Sequence, residues 1–262
     1  MINEDIDTDD YVEPLTTVIG IKSKDGIVLA ADSQATMDLA KHLQADKILQ
    51  VNKLSALAGA GKGEHVKKLW RVLQKRISNR SFNDDQLIDN TQSILDDLYK
   101  KYNVQESKNM GLSQTEIKFC ALSILGTKLR DGTLGLYILD TDGFVSPVDK
   151  YATIGSGRAL GRFILDLHSR TPGYRFSDLS VNVNWFAACV ALNIVGNYDS
   201  QSGGNTRIVT ITKYGFEMAF DPKYGQSLTN LFLSAELEQL PKPVEYAAGL
   251  PRGQNARTRL NH

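Results

Sequence analysis

The chain is poor in the residues that most often announce chemistry. Among 262 residues there are two cysteines, four histidines, two tryptophans, four methionines and seven prolines. Cys120 and Cys189 both lie in apolar stretches, the first expected in a strand and the second in a helix. Two such residues build neither a disulfide framework nor a thiolate metal site, and they read as small core side chains in a reducing compartment. The histidines, at 42, 65, 168 and 262, show no ligand spacing, which argues against a zinc site and a Ser-His-Asp triad. Excess charge is missing as well. Thirty basic and thirty acidic residues cancel, so nothing draws the chain electrostatically to nucleic acid or to a membrane surface. No apolar run is long enough to span a bilayer, and the N-terminus lacks the basic-then-apolar layout of a signal peptide. The expectation is a cytoplasmic protein without metal or cofactor.

What is present is ordinary globular composition, with 42% hydrophobic and 23% charged residues, enough for one large domain or two small ones. Glu4, Asp5, Asp7, Asp9, Asp10 and Glu13 crowd the first fifteen residues, a solvated acidic lead or a propeptide ending at Leu15. From Pro241 the composition turns to Pro, Gly, Asn and Arg, so residues 241–262 read as an arm or disordered tail.

Between these ends, residues 16–36 dominate. Val18, Ile19 and Ile21 form one β-rich run and Ile27–Ala31 another, with Asp25-Gly26 as the turn signal of a hairpin. The second run is almost unbroken apolar, so both its faces should be covered. It ends on Asp32, either a strand-end residue reaching water or a charge held for chemistry. Strands are predicted over 47–51 and 54–58. The cluster Gly59-Ala-Gly-Lys-Gly63 follows; it lacks the ending and spacing of a phosphate loop and better suits a tight turn or close backbone approach. A helix from Glu64 to Ile77 and a second one carrying Leu87 to Tyr102 come next, then a polar loop over 103–114. Strands are expected at 117–125, 135–140, 144–148 and 151–154. Gly155-Ser156-Gly157 opens a helix with Leu160, Phe163, Ile164 and Leu167 on its inner face. A further helix over 178–198, strands at 206–212 and 216–220 and a short helix near 227–238 complete the order. Strands, two helices, strands, two helices, strands fit most economically as sheet on sheet with helices outside.

Thr16-Thr17 opening a strand, Asp-Gly at its turn and Ala31-Asp-Ser-Gln-Ala-Thr36 closing the next resemble the start of a mature proteasome β subunit, an N-terminal-threonine hydrolase. The resemblance runs over roughly residues 16–220, with the domain taken as 16–240. It implies the α/β, four-layer α-β-β-α sandwich of the N-terminal-nucleophile (Ntn) hydrolases, two mainly antiparallel sheets between helix layers. It implies Thr16 as nucleophile, with Asp32 and Lys47 beside it, and Ser156, Asp199 and Ser202 hydrogen-bonding near the threonine amine. Taken alone, Lys47 is a solvated edge lysine, Ser156 a helix cap and Asp199 a turn residue. Gly59 matches the glycine whose N–H forms the oxyanion hole, and Ala35, Leu49 and Leu57 match specificity-pocket positions. The implied activity is endopeptidase cleavage of unfolded proteins, after hydrophobic residues, inside a ring of like subunits. α-type subunits and an ATPase or other gatekeeper are the implied partners.

Three features depart from the family pattern. Leu15 stands where relatives carry the glycine that eases self-cleavage, Gln34 replaces a basic residue, and the C-terminal arm is extra. Two alternatives remain open: a structural ring subunit that stays unprocessed because of Leu15, and a small-amide Ntn hydrolase with the same chemistry on another substrate.

Overall fold

The computed structural model describes residues 16–37, 40–42, 45–77, 82–105 and 119–220. The acidic lead 1–15, the short helix expected near 227–238 and the arm 241–262 lie outside the described residues.

Two five-stranded antiparallel sheets form the centre. The first has the order β10 (Tyr151–Gly155), β1 (Thr17–Lys22), β2 (Gly26–Asp32), β11 (Thr206–Thr212) and β12 (Gly215–Phe220). The second runs β5 (Ile48–Asn52), β6 (Ser55–Gly61), β7 (Ala121–Lys128), β8 (Leu134–Leu139) and β9 (Val145–Pro147). A two-stranded ribbon, β3 (Ala35–Met37) with β4 (Ala40–His42), was not expected from the sequence. The described helices are α1 (Gly63–Ile77), α2 (Asp84–Tyr99), α3 (Arg158–Arg170) and α4 (Val181–Tyr198). The layers are those of an α-β-β-α Ntn-hydrolase sandwich.

Every residue of β2 is buried, as an unbroken apolar run between β1 and β11 and between two covered faces requires. One core fills the space between the sheets, with Val18, Leu29, Ile48, Ile124, Leu136 and Val209 among its members. Another lies under α1 and α2, where Leu57, Leu69, Leu73, Ile94, Leu95 and Tyr137 meet. The α1 stripe Val66, Leu69, Leu73 and Ile77 is buried at helical spacing. Asn83 and Gln86 close a reciprocal capping box at the start of α2. The hairpin between β1 and β2 docks on α4, because Asp25 Oδ1 accepts the Val181 N–H at 2.8 Å.

Three expectations are corrected. α3 turns Gly161, Ile164 and Leu165 inward and leaves Phe163 and Leu167 exposed. Residues 103–105, expected in a loop, continue α2 as a π-helical segment from Lys100 to Gln105. The strand expected at 117–125 runs from Ala121 to Lys128, with Cys120 just before it.

Candidate active site

β1 lies between β10 and β2, and this order assembles the site. Thr17 is paired with Gly155 on one side and Val18 with Ala31 on the other. The start of β1, the end of β10 and the end of β2 therefore meet at one edge of the sheet. β11 joins them there, with Thr206 opposite Asp32. Gly155 is a glycine by necessity, since a Cβ there would sit 2.0 Å from the Thr16 carbonyl oxygen.

Asp32 is 4% exposed and fully hydrogen-bonded. Its Oδ1 accepts the Thr17 N–H at 2.8 Å, the Lys47 ammonium at 2.9 Å and the Thr16 hydroxyl. Its Oδ2 accepts the N–H groups of Gly203 at 3.1 Å and Gln34 at 3.2 Å. Five donors compensate the burial of one carboxylate. Lys47 comes from the other sheet, one residue before β5, and its Nζ also donates to Thr16 Oγ1. The segment leading to it is held to the first sheet by Ala45 N–H on Ser33 O at 2.9 Å and by an Arg207–Asp46 ion pair. Burial lowers the pKa of Lys47 from its ordinary value, and the charge and hydrogen bond of Asp32 oppose that without cancelling it. An ammonium so placed, held by Asp32, polarises the Thr16 hydroxyl to which it donates.

The second half of the site lies around the Thr16 nitrogen. Thr16 N–H donates to Ser156 Oγ at 3.3 Å, and Ser156 Oγ donates to Asp199 Oδ2 at 2.7 Å. Ser202 Oγ donates to the same carboxylate oxygen at 2.6 Å. Because the Ser202 proton is committed to Asp199, the 2.6 Å contact between Thr17 Oγ1 and Ser202 Oγ has Thr17 as donor. Burial pushes the Asp199 carboxyl up, but the hydrogen bonds from Ser202, Ser156 and the Gln201 N–H outweigh it and leave its pKa below the usual value. Thr17 was missed in the sequence, although a hydroxyl at the start of a strand buried on both faces must find a partner.

Thr16, Asp32, Lys47, Ser156, Asp199 and Ser202 thus come together in one hydrogen-bonded network. Two other expected residues do not serve as expected. The Gly59 N–H donates to Lys47 O at 2.9 Å within the β5–β6 ladder, and a Cβ at Gly59 would strike Val66 of α1. It has no free donor for a substrate. Leu57 is fully buried in the core under α1 and α2 and cannot line a pocket. Leu49 is partly buried at the edge of that core. The Ala35 backbone is in β3, and its side chain lies outside the described residues.

Gly61 is the glycine to consider instead. Alternate residues of β6 turn their N–H toward β5, so that of Gly61 points the same way as that of Gly59. The register places Ala45 opposite Gly61, but β5 begins only at Ile48 and the last ladder bond is that from Gly59 N–H to Lys47 O, the Ala45 segment having turned to Ser33. Gly61 is exposed, with φ +112, at the end of β6, two residues beyond the glycine that bonds Lys47. The alternation of Gly59-Ala-Gly61 contained this choice, and strand register separates the two glycines.

A proteasome subunit family model matches residues 14–211, which spans the whole network. The chain belongs to the proteasome subunit family. It is 29% identical over 213 residues to a proteasome subunit beta of Nanoarchaeum equitans, covering 79% of this chain and 97% of that one. It is also 29% identical to proteasome subunit beta 1 of Thermococcus onnurineus, over 77% of this chain and 90% of the relative. With the proteasome subunit beta of Methanothermobacter thermautotrophicus it shares 26% identity over 82% and 95% of the two chains. The resemblance to β subunits therefore extends over nearly the full length of these relatives. Among the described residues no cluster of His, Cys, Asp and Glu is arranged to hold a metal ion, and no helix is long and apolar enough to cross a membrane.

Proposed function

We propose that this proteasome β-type chain is a threonine endopeptidase whose nucleophile is Thr16, freed as the N-terminal residue by hydrolysis of the Leu15–Thr16 bond. The observation that carries the reading is the double engagement of Thr16: its hydroxyl meets Lys47 and Asp32, while its nitrogen meets Ser156 and, through it, Asp199. Once freed, the Thr16 nitrogen is a primary amine with an ordinary pKa of ~7.7–8.0, near the optimum for a base at neutral pH. Ser156 spends its proton on Asp199, so its lone pair receives an N–H and holds the amine lone pair toward the hydroxyl. The hydroxyl proton passes to the amine as Oγ bonds to the substrate carbonyl carbon. The oxyanion takes the Gly61 N–H, a donor worth about 3–4 kcal/mol in comparable sites. The C–N bond then breaks as the leaving amine receives the proton, and water hydrolyses the Thr16 ester by the same steps in reverse.

Substrates are unfolded proteins cut after hydrophobic residues, with Leu49 at the pocket. The working form is a ring of these subunits, with α-type rings and an ATPase gatekeeper as partners. Intact mass of the assembled protein and of Thr16→Ala tests the reading. Removal of residues 1–15 from the wild type but not from the variant, together with peptide cleavage by the wild type alone, is the expected result. A wild type that stays full-length and inactive after assembly sinks it. Leu15 favours that second outcome, a ring subunit that is never processed.

A further inference from the structure

Gln34 stands where the family resemblance leads one to expect a basic side chain, and its amide is almost wholly buried, at 4% exposure. Its backbone N–H is shared between Asp32 Oδ2 at 3.2 Å and Gly203 O at 3.0 Å. Its side-chain Nε2 donates to Ser200 O at 3.1 Å. Gly203 returns its own N–H to Asp32 Oδ2 at 3.1 Å. A Cβ on Gly203 would lie 2.9 Å from Gln34 Oε1, so the amide rests directly on that backbone.

We propose that Gln34 is a positioning residue for the threonine chemistry: it pins the loop carrying Asp199 and Ser202 to the strand end carrying Asp32. The proposal rests on the reading of Thr16 as nucleophile. The α4–β11 loop contains Gly203 and Gly204 and is intrinsically free to take many backbone states. Two of its ties to the sheet run through the hydroxyls of Ser156, which receives the Thr16 N–H, and of Thr17, which meets Ser202. The Gln34 amide is a tie that takes no part in proton movement. It joins the two carboxylates of the site, Asp32 through its backbone and the Asp199 turn through its side chain. Being neutral, it adds no second cation to Asp32, whose charge stays with Lys47. Misplacement of a reacting group by an ångström can cost about a hundredfold in rate, so the pin acts on turnover more than on substrate binding.

The test uses processed, assembled wild type with Gln34→Leu and Gln34→Glu, both close to glutamine in shape and both lacking the donor. A fluorogenic peptide with a hydrophobic residue before the scissile bond is the probe. The expected result is a kcat reduced about tenfold and a KM within about twofold of wild type, in Gln34→Leu particles that still assemble and melt cooperatively. Hydrogen exchange over residues 199–204, measured in a Thr16→Ala background, should quicken when Gln34→Leu is added. Variants that match wild-type kcat, or that change only KM, overturn the proposal while leaving Thr16 as nucleophile. Unfolding of both variants also overturns it, since an ordinary packing role then suffices. An inactive wild type removes the nucleophile reading itself, and the proposal with it.

Discussion

Lys47 Nζ lies 2.9 Å from Asp32 Oδ1, with only 10% and 5% of the two side chains exposed, in surroundings that lower the lysine pKa. Breaking a buried pair from one side leaves a charge without compensation, typically at about 3–5 kcal/mol. Asp32→Ala should reach that range in urea unfolding, because it also orphans the N–H groups of Thr17 and Gly203. Lys47→Met should cost less, since four donors stay on Asp32, yet cut kcat/KM by about 10²–10⁴ through loss of the cation that donates to the Thr16 hydroxyl and eases its transfer of a proton to the amine. The pH dependence has a definite sign. Burial disfavours protonated Lys47, so between its lowered pKa and 10.5 the unfolded chain binds more protons and stability rises with pH. Wild type should therefore gain on Lys47→Met as pH rises toward 10.5, and a gap that shrinks there would contradict the sign.

The two glycines of β6 separate by substitution. Gly59→Ala brings a Cβ to 2.3 Å from Val66 Cγ1, an overpacking fault of about 1–3 kcal/mol. Trimming the obstacle with Val66→Ala should restore much of the stability and of the activity, because the Gly59 N–H serves only the ladder. Gly61→Ala meets the Cys120 carbonyl at 2.7 Å in a conformation with φ +112, and no side-chain trimming relieves that. It should lower kcat by about a hundredfold or more with the particle still assembled. An equal loss of activity in Gly61→Ala and in the Gly59→Ala, Val66→Ala double variant would withdraw the donor assignment from Gly61.

The sequence showed most of this site because its chemistry is polar and its strands are apolar. Asp32 ends a run that had to be buried on both faces, and Thr16, Lys47, Ser156, Asp199 and Ser202 stood at positions of one family pattern. What it did not show depends on facing. Phe163 and Leu167 have helical spacing with Leu160, yet α3 packs through Gly161, Ile164 and Leu165, which turns those larger residues to solvent. Gly59 and Gly61 share a parity on β6, and only the end of β5 tells them apart. Leu57 reads as a pocket residue until register places it under α1. Thr17 was hidden by standing next to the nucleophile.

Asp199 makes acid sensitivity a local measurement. Its burial works against the charged form, but Ser202, Ser156 and the Gln201 N–H favour it more, so the folded-state pKa lies below 3.8. A carboxylate of this kind contributes stability that is full above 3.8 and lost as pH falls through the folded value. Ser202→Ala removes one of the three bonds and raises the Asp199 pKa toward its ordinary value. The deficit of Ser202→Ala relative to wild type should hold steady through neutral pH and narrow once pH drops below 3.8. Unfolding curves collected across that range decide it, and a deficit indifferent to pH would mean the bond does not favour the ionised form.

Thr17 tests whether the network has the direction argued for it. Its hydroxyl donates to Ser202, which in turn donates to Asp199. Thr17→Val keeps the shape of the side chain but leaves the buried Ser202 oxygen short of a donor, at about 1–3 kcal/mol. A methyl in place of Oγ1 also presses on the backbone of Gly157, where a Cβ would already lie 2.1 Å from that oxygen. Thr17→Ser keeps the donor and should stay within about 0.5 kcal/mol of wild type. If Thr17 acts through Ser202, Thr17→Val added to Ser202→Ala costs less than it does alone, with a coupling of about 0.5–3 kcal/mol. Additive losses would show instead that Thr17 is held by packing, and that the chain of hydroxyls ends at Ser202.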